Sequence, residues 1–239
     1  MTIIVDTSLE GQIDDWNTLK DQITEETDGR ADSTQLAAYI RRAETRIRRA
    51  LAIKPVEPMR TSVGLSIAGE TASAPADMVK PWAIEMVDGE NRIECEFIER
   101  ENFTALQAQN DRRALTYAGD TGYFPRYFTL INTDLRFWPA QSATIQGTLY
   151  YFQQLAALSE NNQTNWMLTQ HPDVYLDGSL YYAYRAMPDI EKASLMKDIF
   201  EQSLSEMLES YPDPASRFTM SMDPMLSAQR FYRPYVSTY

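Results

Sequence analysis

Two residue types that carry much of enzyme chemistry are nearly missing from this 239-residue chain, which has one cysteine, Cys95, and one histidine, His171. A lone cysteine excludes an internal disulfide and any cysteine-based zinc site. A lone histidine removes most metal and acid–base arrangements. His171 stands directly before Pro172, where a helix start accounts for it, and ordinary packing accounts for Cys95. There is no Gly-x-Ser-x-Gly elbow, P-loop, Gly-rich dinucleotide loop, His-Glu-x-x-His pair or EF-hand loop. No catalytic residue, cofactor site or metal site is therefore assigned. No run approaches the roughly 18 uninterrupted apolar residues of a membrane span. Met1 to Glu10 has only a short apolar patch and no basic lead-in. It does not read as a secretory leader, and the expected place of synthesis is the cytosol.

Basic residues are also scarce overall, and the net charge is −12. Its distribution is uneven. Residues 31–60 hold seven bases and three acids, whereas residues 61–110 and 156–211 each hold nine acids and three bases. That balance argues against gripping nucleic acid, because phosphate contacts need surplus Lys and Arg. An acidic wall past which DNA slides remains compatible with it.

What is present reads as helix, then strands, then helix. The spacing predicts a first helix from Asp14 to Thr24, with Trp16, Leu19 and Ile23 on one face. Gly29 and Asp32-Ser33 interrupt it, with Ser33 as the expected N-cap of the next helix. That second helix, Thr34 to Leu51, has Leu36, Tyr39, Ile40, Ala43, Ile47, Ala50 and Leu51 in a single apolar stripe. From Met59 to Phe152 the pattern alternates. Strands are expected at Val63–Ile67, at Ile93–Phe97 with Glu94 and Glu96 on a wet face, and at Ala143–Phe152. Tyr127–Ile131 and Asp134–Trp138 read as a hairpin about Asn132-Thr133. Ala74 to Asp77 is expected to open a short helical turn toward Trp82, Glu101 to Asn110 a short helix, and Ala118 to Pro125 a loop. Helix returns at Trp166, with Pro172 in a first turn. It breaks at Met187-Pro188 and resumes from Asp189 to Ser210, with Ile190, Leu195, Met196, Ile199, Phe200 and Leu204 on one broad apolar face.

Residues 212–239 carry four prolines among many aromatics and methionines. A disordered tail is poor in such residues. Phe218, Met225, Phe231, Tyr232, Pro234, Tyr235 and Tyr239 are therefore read as partner-binding. Two readings stand for the arginines between Arg41 and Arg49. One is a basic belt that contacts an acidic neighbour or DNA backbone, with Arg41, Arg42, Arg46 and Arg49 at the interface between copies; the other is a solvated helix face paired locally, Glu44 with Arg48. Glu94 and Glu99 invite a glycosidase reading with paired carboxylates, but a solvated strand face accounts for them better.

Several segments in order resemble the head-to-tail adaptor (connector) proteins of tailed bacteriophages. They are Tyr39-Ile40-Arg-Arg-Ala43-Glu44-x-Arg46-Ile47-x-Arg49, Ala74-Pro75-Ala76-Asp77 and Leu135-Arg-Phe137-Trp-Pro139-Ala140. Gly147-Thr-Leu-Tyr-Tyr-Phe152, Leu158-Ser159, Asn165-Trp166-Met167-Leu168 and His171-Pro172-Asp-Val-Tyr-Leu176 follow. Ala74 departs from the more apolar residue usual at its position, and the resemblance runs from Leu36 to Leu208. It implies a virion protein forming a homo-oligomeric ring, usually a dodecamer, docked on the portal protein. Such a ring extends the DNA channel, passes DNA without specific binding and carries tail (nozzle or fibre) proteins. The rivals are another virion part, such as a head-completion or tail-nozzle protein, and a peptidoglycan hydrolase using Glu94 and Glu99.

The expectation is thus an α+β chain without enzymatic activity. A discontinuous helical bundle (residues 8–54 and 160–211) receives a mainly antiparallel β insertion (55–159), and an extended C-terminal docking arm (212–239) follows.

Overall fold

The computed structural model describes residues 13–88, 91–114, 125–140 and 143–212. Helix α1 (Trp16–Glu26) starts at Asp15, whose carboxylate accepts the Asn17 and Thr18 N–H groups at 2.8 Å each. It ends where Asp28 and Gly29 turn to positive φ, a conformation that glycine adopts without steric cost. Helix α2 (Ser33–Ile53) is capped by Asp32 rather than Ser33. The reason is Gln35, which lies three residues after Asp32. Asp32 Oδ1 accepts the Gln35 N–H at 2.8 Å, and Gln35 Oε1 accepts the Asp32 N–H at 3.0 Å, closing a reciprocal capping box.

A 3-10 turn (Glu57–Met59) leads into seven strands: β1 (Arg60–Ile67), β2 (Thr71–Ser73), β3 (Met78–Asp88), β4 (Asn91–Phe97), β5 (Tyr127–Ile131), β6 (Asp134–Trp138) and β7 (Ile145–Gln153). Helix α3 (Arg100–Ala114) lies between β4 and β5. The sheet order is β1-β7-β3-β4-β5-β6-β2, antiparallel except where β4 meets β5. Its two edge strands, β1 and β2, are consecutive in the chain and joined by an Ala68–Thr71 bridge. The sheet therefore curls until its edges nearly meet, which removes most of the exposed-edge hazard.

One expectation for this region changes. Ala74 to Asp77 does not open a helical turn; it turns at Pro75, whose carbonyl accepts the Met78 N–H at 3.1 Å, straight into β3. Pro81 sits inside that strand where the pairing with β7 shifts register, which is how a sheet tolerates a missing donor. The expected loop at residues 118–124 lies outside the described residues.

Helices α4 (Trp166–Gln170), α5 (Pro172–Ala186) and α6 (Ile190–Ser210) complete the bundle with α1 and α2. Two apolar cores result. One gathers Trp16, Ile40, Ile47, Tyr175, Phe200 and neighbours from the helices, with Phe152, Leu155 and Leu158 from the junction. The other fills the curled sheet with Leu65, Ile84, Cys95, Phe128, Phe137, Leu149 and Tyr151. Strand β7 serves both, since Leu149 and Tyr151 face the sheet interior while Phe152 faces the bundle. At Gly178 on α5, an added Cβ would stand 2.8 Å from Phe200 Cε2 and 3.0 Å from Ala43 Cβ. Only glycine allows α2, α5 and α6 to approach this closely.

The broad apolar face expected on α6 is narrower in the structure. Ala193, Phe200, Leu204 and Met207 are buried, but Ile190, Leu195 and Ile199 are 81%, 60% and 37% exposed. The helix has more apolar residues than its core-facing stripe holds. All three contribute to its outward surface.

Candidate interaction surfaces

Glu44 lies on α2 at the position between Ile40 and Ile47, within the apolar stripe, and is 2% exposed. Its Oε1 accepts the Leu158 N–H at 2.7 Å and the Tyr175 hydroxyl at 3.1 Å. Tyr175 in turn accepts from Asn165 Nδ2 at 2.8 Å, and that nitrogen also donates to the Ala156 carbonyl at 2.8 Å. Asn165 caps α4 through its Oδ1, which accepts the Leu168 N–H at 2.9 Å. Burial pushes the Glu44 carboxyl above its ordinary value, opposed by the Leu158 hydrogen bond and the Arg48 charge. Burial and the adjacent carboxylate push the Tyr175 phenol up as well. The local pairing of Glu44 with Arg48 does not form as an ion pair. The carboxylate turns inward and takes up the junction's donors instead. The node joins helix α2 to the segment leaving the sheet, and its members come from four of the separated stretches quoted above.

The arginines divide. Arg46 makes a two-point contact with Glu201 of α6, Nε to Oε1 at 2.9 Å and Nη2 to Oε2 at 2.6 Å. Lys54 Nζ donates to the Leu208 carbonyl at 2.6 Å. These contacts lay α2 and α6 side by side in the same direction. Arg41, Arg42 and Arg49 are exposed, on a face of α2 that presents no carboxylate. The structure thus places three of the four predicted arginines on one outward surface and commits Arg46 largely within the chain.

The root of the C-terminal segment is fixed. Tyr211 donates from its hydroxyl to Gln170 Oε1 at 2.8 Å, shares a 3.0 Å hydrogen bond with His171 Nε2 and packs its ring edge-on against Trp166. His171 therefore anchors this segment as well as preceding the start of α5. Phe218, Met225, Phe231, Tyr232, Pro234, Tyr235 and Tyr239 lie outside the described residues.

Glu94 and Glu99 are exposed, one on β4 and one just before α3. The Cys95 thiol is buried and pushed up to about 12 by that burial, which makes it unreactive. Among the described residues no cluster of three His, Cys, Asp or Glu could hold a metal ion, and no helix is long and apolar enough to cross a membrane. A cavity of about 250 Å³ opens between α5 and α6, lined by Tyr181, Tyr184, Ile190 and Lys197 among others.

The chain is thus a helical bundle carrying an inserted, nearly closed sheet, with charged and apolar groups displayed on its helix faces. Residues 14–225 match the family model described as SU10 adaptor protein, and the chain belongs to that family of phage head-to-tail adaptors. It is a virion component that interacts with other virion proteins. The matched stretch reaches beyond Leu36 to Leu208 at both ends, taking in α1 and the first residues of the C-terminal segment. No curated protein matches the chain.

Two features escaped the sequence reading. Glu44 was legible as an anomaly, because Ile40, Glu44, Ile47 and Leu51 continue one stripe at helical spacing. The outward-facing positions of Glu191, Leu195 and Asp198 on α6 were hidden by placing Leu195 on one broad apolar face.

Proposed function

We propose that copies of this chain form a ring, about twelve by the family resemblance, that docks on the portal protein and extends the DNA channel. The ring presents tail (nozzle or fibre) proteins with a platform built on the curled sheet, while residues 212–239 act as a docking arm. Phe218, Met225, Phe231, Tyr232, Pro234, Tyr235 and Tyr239 supply the arm's apolar contacts to the portal. Arg41, Arg42 and Arg49 lie at the subunit interface, with Arg46 supporting them from within. DNA passes without specific binding, consistent with a net charge of −12. The chain is made in the host cytoplasm and ends at the head-to-tail interface of the virion.

The observation that carries this reading is the family match, which spans nearly the whole chain. The Tyr211 anchor supports the arm, because it fixes where the segment leaves the bundle. Exposed positions for Glu94 and Glu99 favour an assembly role over hydrolysis. The test is co-sedimentation of full-length chain, and of chain ending at Pro212, with portal from the same phage. Full-length protein should co-sediment and the truncated protein should not. Equal binding by both would remove the arm from the proposal.

A further inference from the structure

The outward faces of α2 and α6 are opposite in charge and equal in spacing. On α2, Arg42 and Arg49 stand seven residues apart with Thr45 between them, all three exposed. Seven residues of helix separate the two arginines by about 10.5 Å along one line. The only carboxylate of this helix is Glu44, which is buried, so α2 itself offers nothing on that face to neutralise them. On α6, Glu191 and Asp198 also stand seven residues apart, with Leu195 between them, and all three are exposed. Both lysines of α6 are exposed and lie off the line through Glu191, Leu195 and Asp198. Lys192 lies over the Tyr184 ring at 5.1 Å, and Lys197 lines the cavity beside α5.

We propose that the α2 face of one copy docks on the α6 face of a second copy of this chain. The inference rests on the ring reading above and names its surfaces. Complementary charge selects the partner: a stripe of arginines without carboxylates meets a stripe of carboxylates. Matching spacing sets the register. With the helices parallel, Arg42 meets Glu191 and Arg49 meets Asp198; with them antiparallel the pairs exchange. With the helices antiparallel Leu195 falls over Thr45, a small residue in the gap between two long side chains; with them parallel it lies one residue, about 1.5 Å, along. That gives the contact an apolar centre with a charged rim, the usual anatomy of an interface. The internal Arg46–Glu201 pair shows that arginine on α2 and glutamate on α6 reach each other when the two helices lie alongside. Because the two faces differ, the contact is heterologous, and repetition by rotation closes a ring.

The test uses purified virions carrying full-length chain with Thr45→Cys and Leu195→Cys. Cys95 is buried and adds no background. Mild oxidation should produce disulfide-linked dimers and higher multiples of the chain. Cross-links only to a different virion protein, or no cross-link between copies, would overturn the proposal. Charge reversal gives an independent reading. Arg42→Glu with Arg49→Glu should lower the copies per particle about tenfold or more, and adding Glu191→Arg with Asp198→Arg should restore them to within about twofold. Thermal melts of each variant confirm folding. Normal incorporation of the first reversed variant would overturn the interface yet leave the adaptor role standing. Absence of the wild-type chain from particles would instead remove the adaptor role, and the interface with it.

Discussion

Tyr175 on α5 donates its hydroxyl hydrogen to Glu44 on α2 at 3.1 Å, inside the bundle and against the segment that leaves the sheet. The same carboxylate oxygen holds the Leu158 N–H at 2.7 Å. Through these two bonds one buried charge sets the angle between β7 and the helices that follow it. The proposed function needs that angle fixed, because it relates the bundle to the sheet proposed as the platform for tail proteins.

Replacing Glu44 separates its acceptor role from its charge. Glu44→Leu leaves the Leu158 N–H and the Tyr175 hydroxyl without a partner and should cost about 2–4 kcal/mol in urea unfolding. Glu44→Gln keeps an acceptor oxygen and should cost less than about 1 kcal/mol.

The pH dependence follows from the direction of the Glu44 shift. Burial raises its folded value above the unfolded one, so the folded state binds more protons in between. Stability from this group is therefore complete below the ordinary carboxylate value and is lost as pH rises through the raised one. Wild type minus Glu44→Gln should show that falling slope across the window. A flat difference in denaturation midpoint would contradict it.

Gly178→Ala should destabilise the bundle even though alanine is the better helix former. The new methyl would sit 2.8 Å from Phe200, which is 1% exposed, and overpacking of that kind costs about 1–3 kcal/mol. Glycine's helix penalty returns about 1 kcal/mol of it. Adding Phe200→Leu should relieve the clash, so the double variant falls short of the sum of the two single losses.

How much of this was legible before the structure depends on the residue. The stripe from Leu36 to Leu51 predicted α2 almost to its ends, and Asn132-Thr133 marked the β5–β6 hairpin correctly. Strand β3 was missed because Pro81 and the Ala74-Pro75 turn masked its alternation, and its central place between β7 and β4 comes from pairing, which a local pattern does not encode. The α2 cap was misplaced by one residue because Asp32 and Ser33 are both good caps. Gln35 decides between them. Glu44 entered one of the two open readings of the arginine cluster as a surface partner of Arg48, because charge usually means exposure; only the donors brought by Leu158 and Tyr175 make its burial tolerable. The acidic stripe on α6 became visible once Leu195 proved to face outward.

Arg46→Met should cost no more than about 1 kcal/mol, since both partners of the Arg46–Glu201 pair are more than a third exposed. The loss should shrink further in high salt, measured as the difference in thermal midpoint. A large, salt-insensitive loss would show that Arg46 stabilises the bundle by packing rather than by charge.

The most direct test of the adaptor role is electron microscopy of particles made by phage in which the gene for this chain is deleted, with and without added purified protein. The account predicts filled heads and free tails that do not join without the chain, and joined, infectious particles once it is supplied. Complete tailed particles of normal infectivity in its absence would contradict the account.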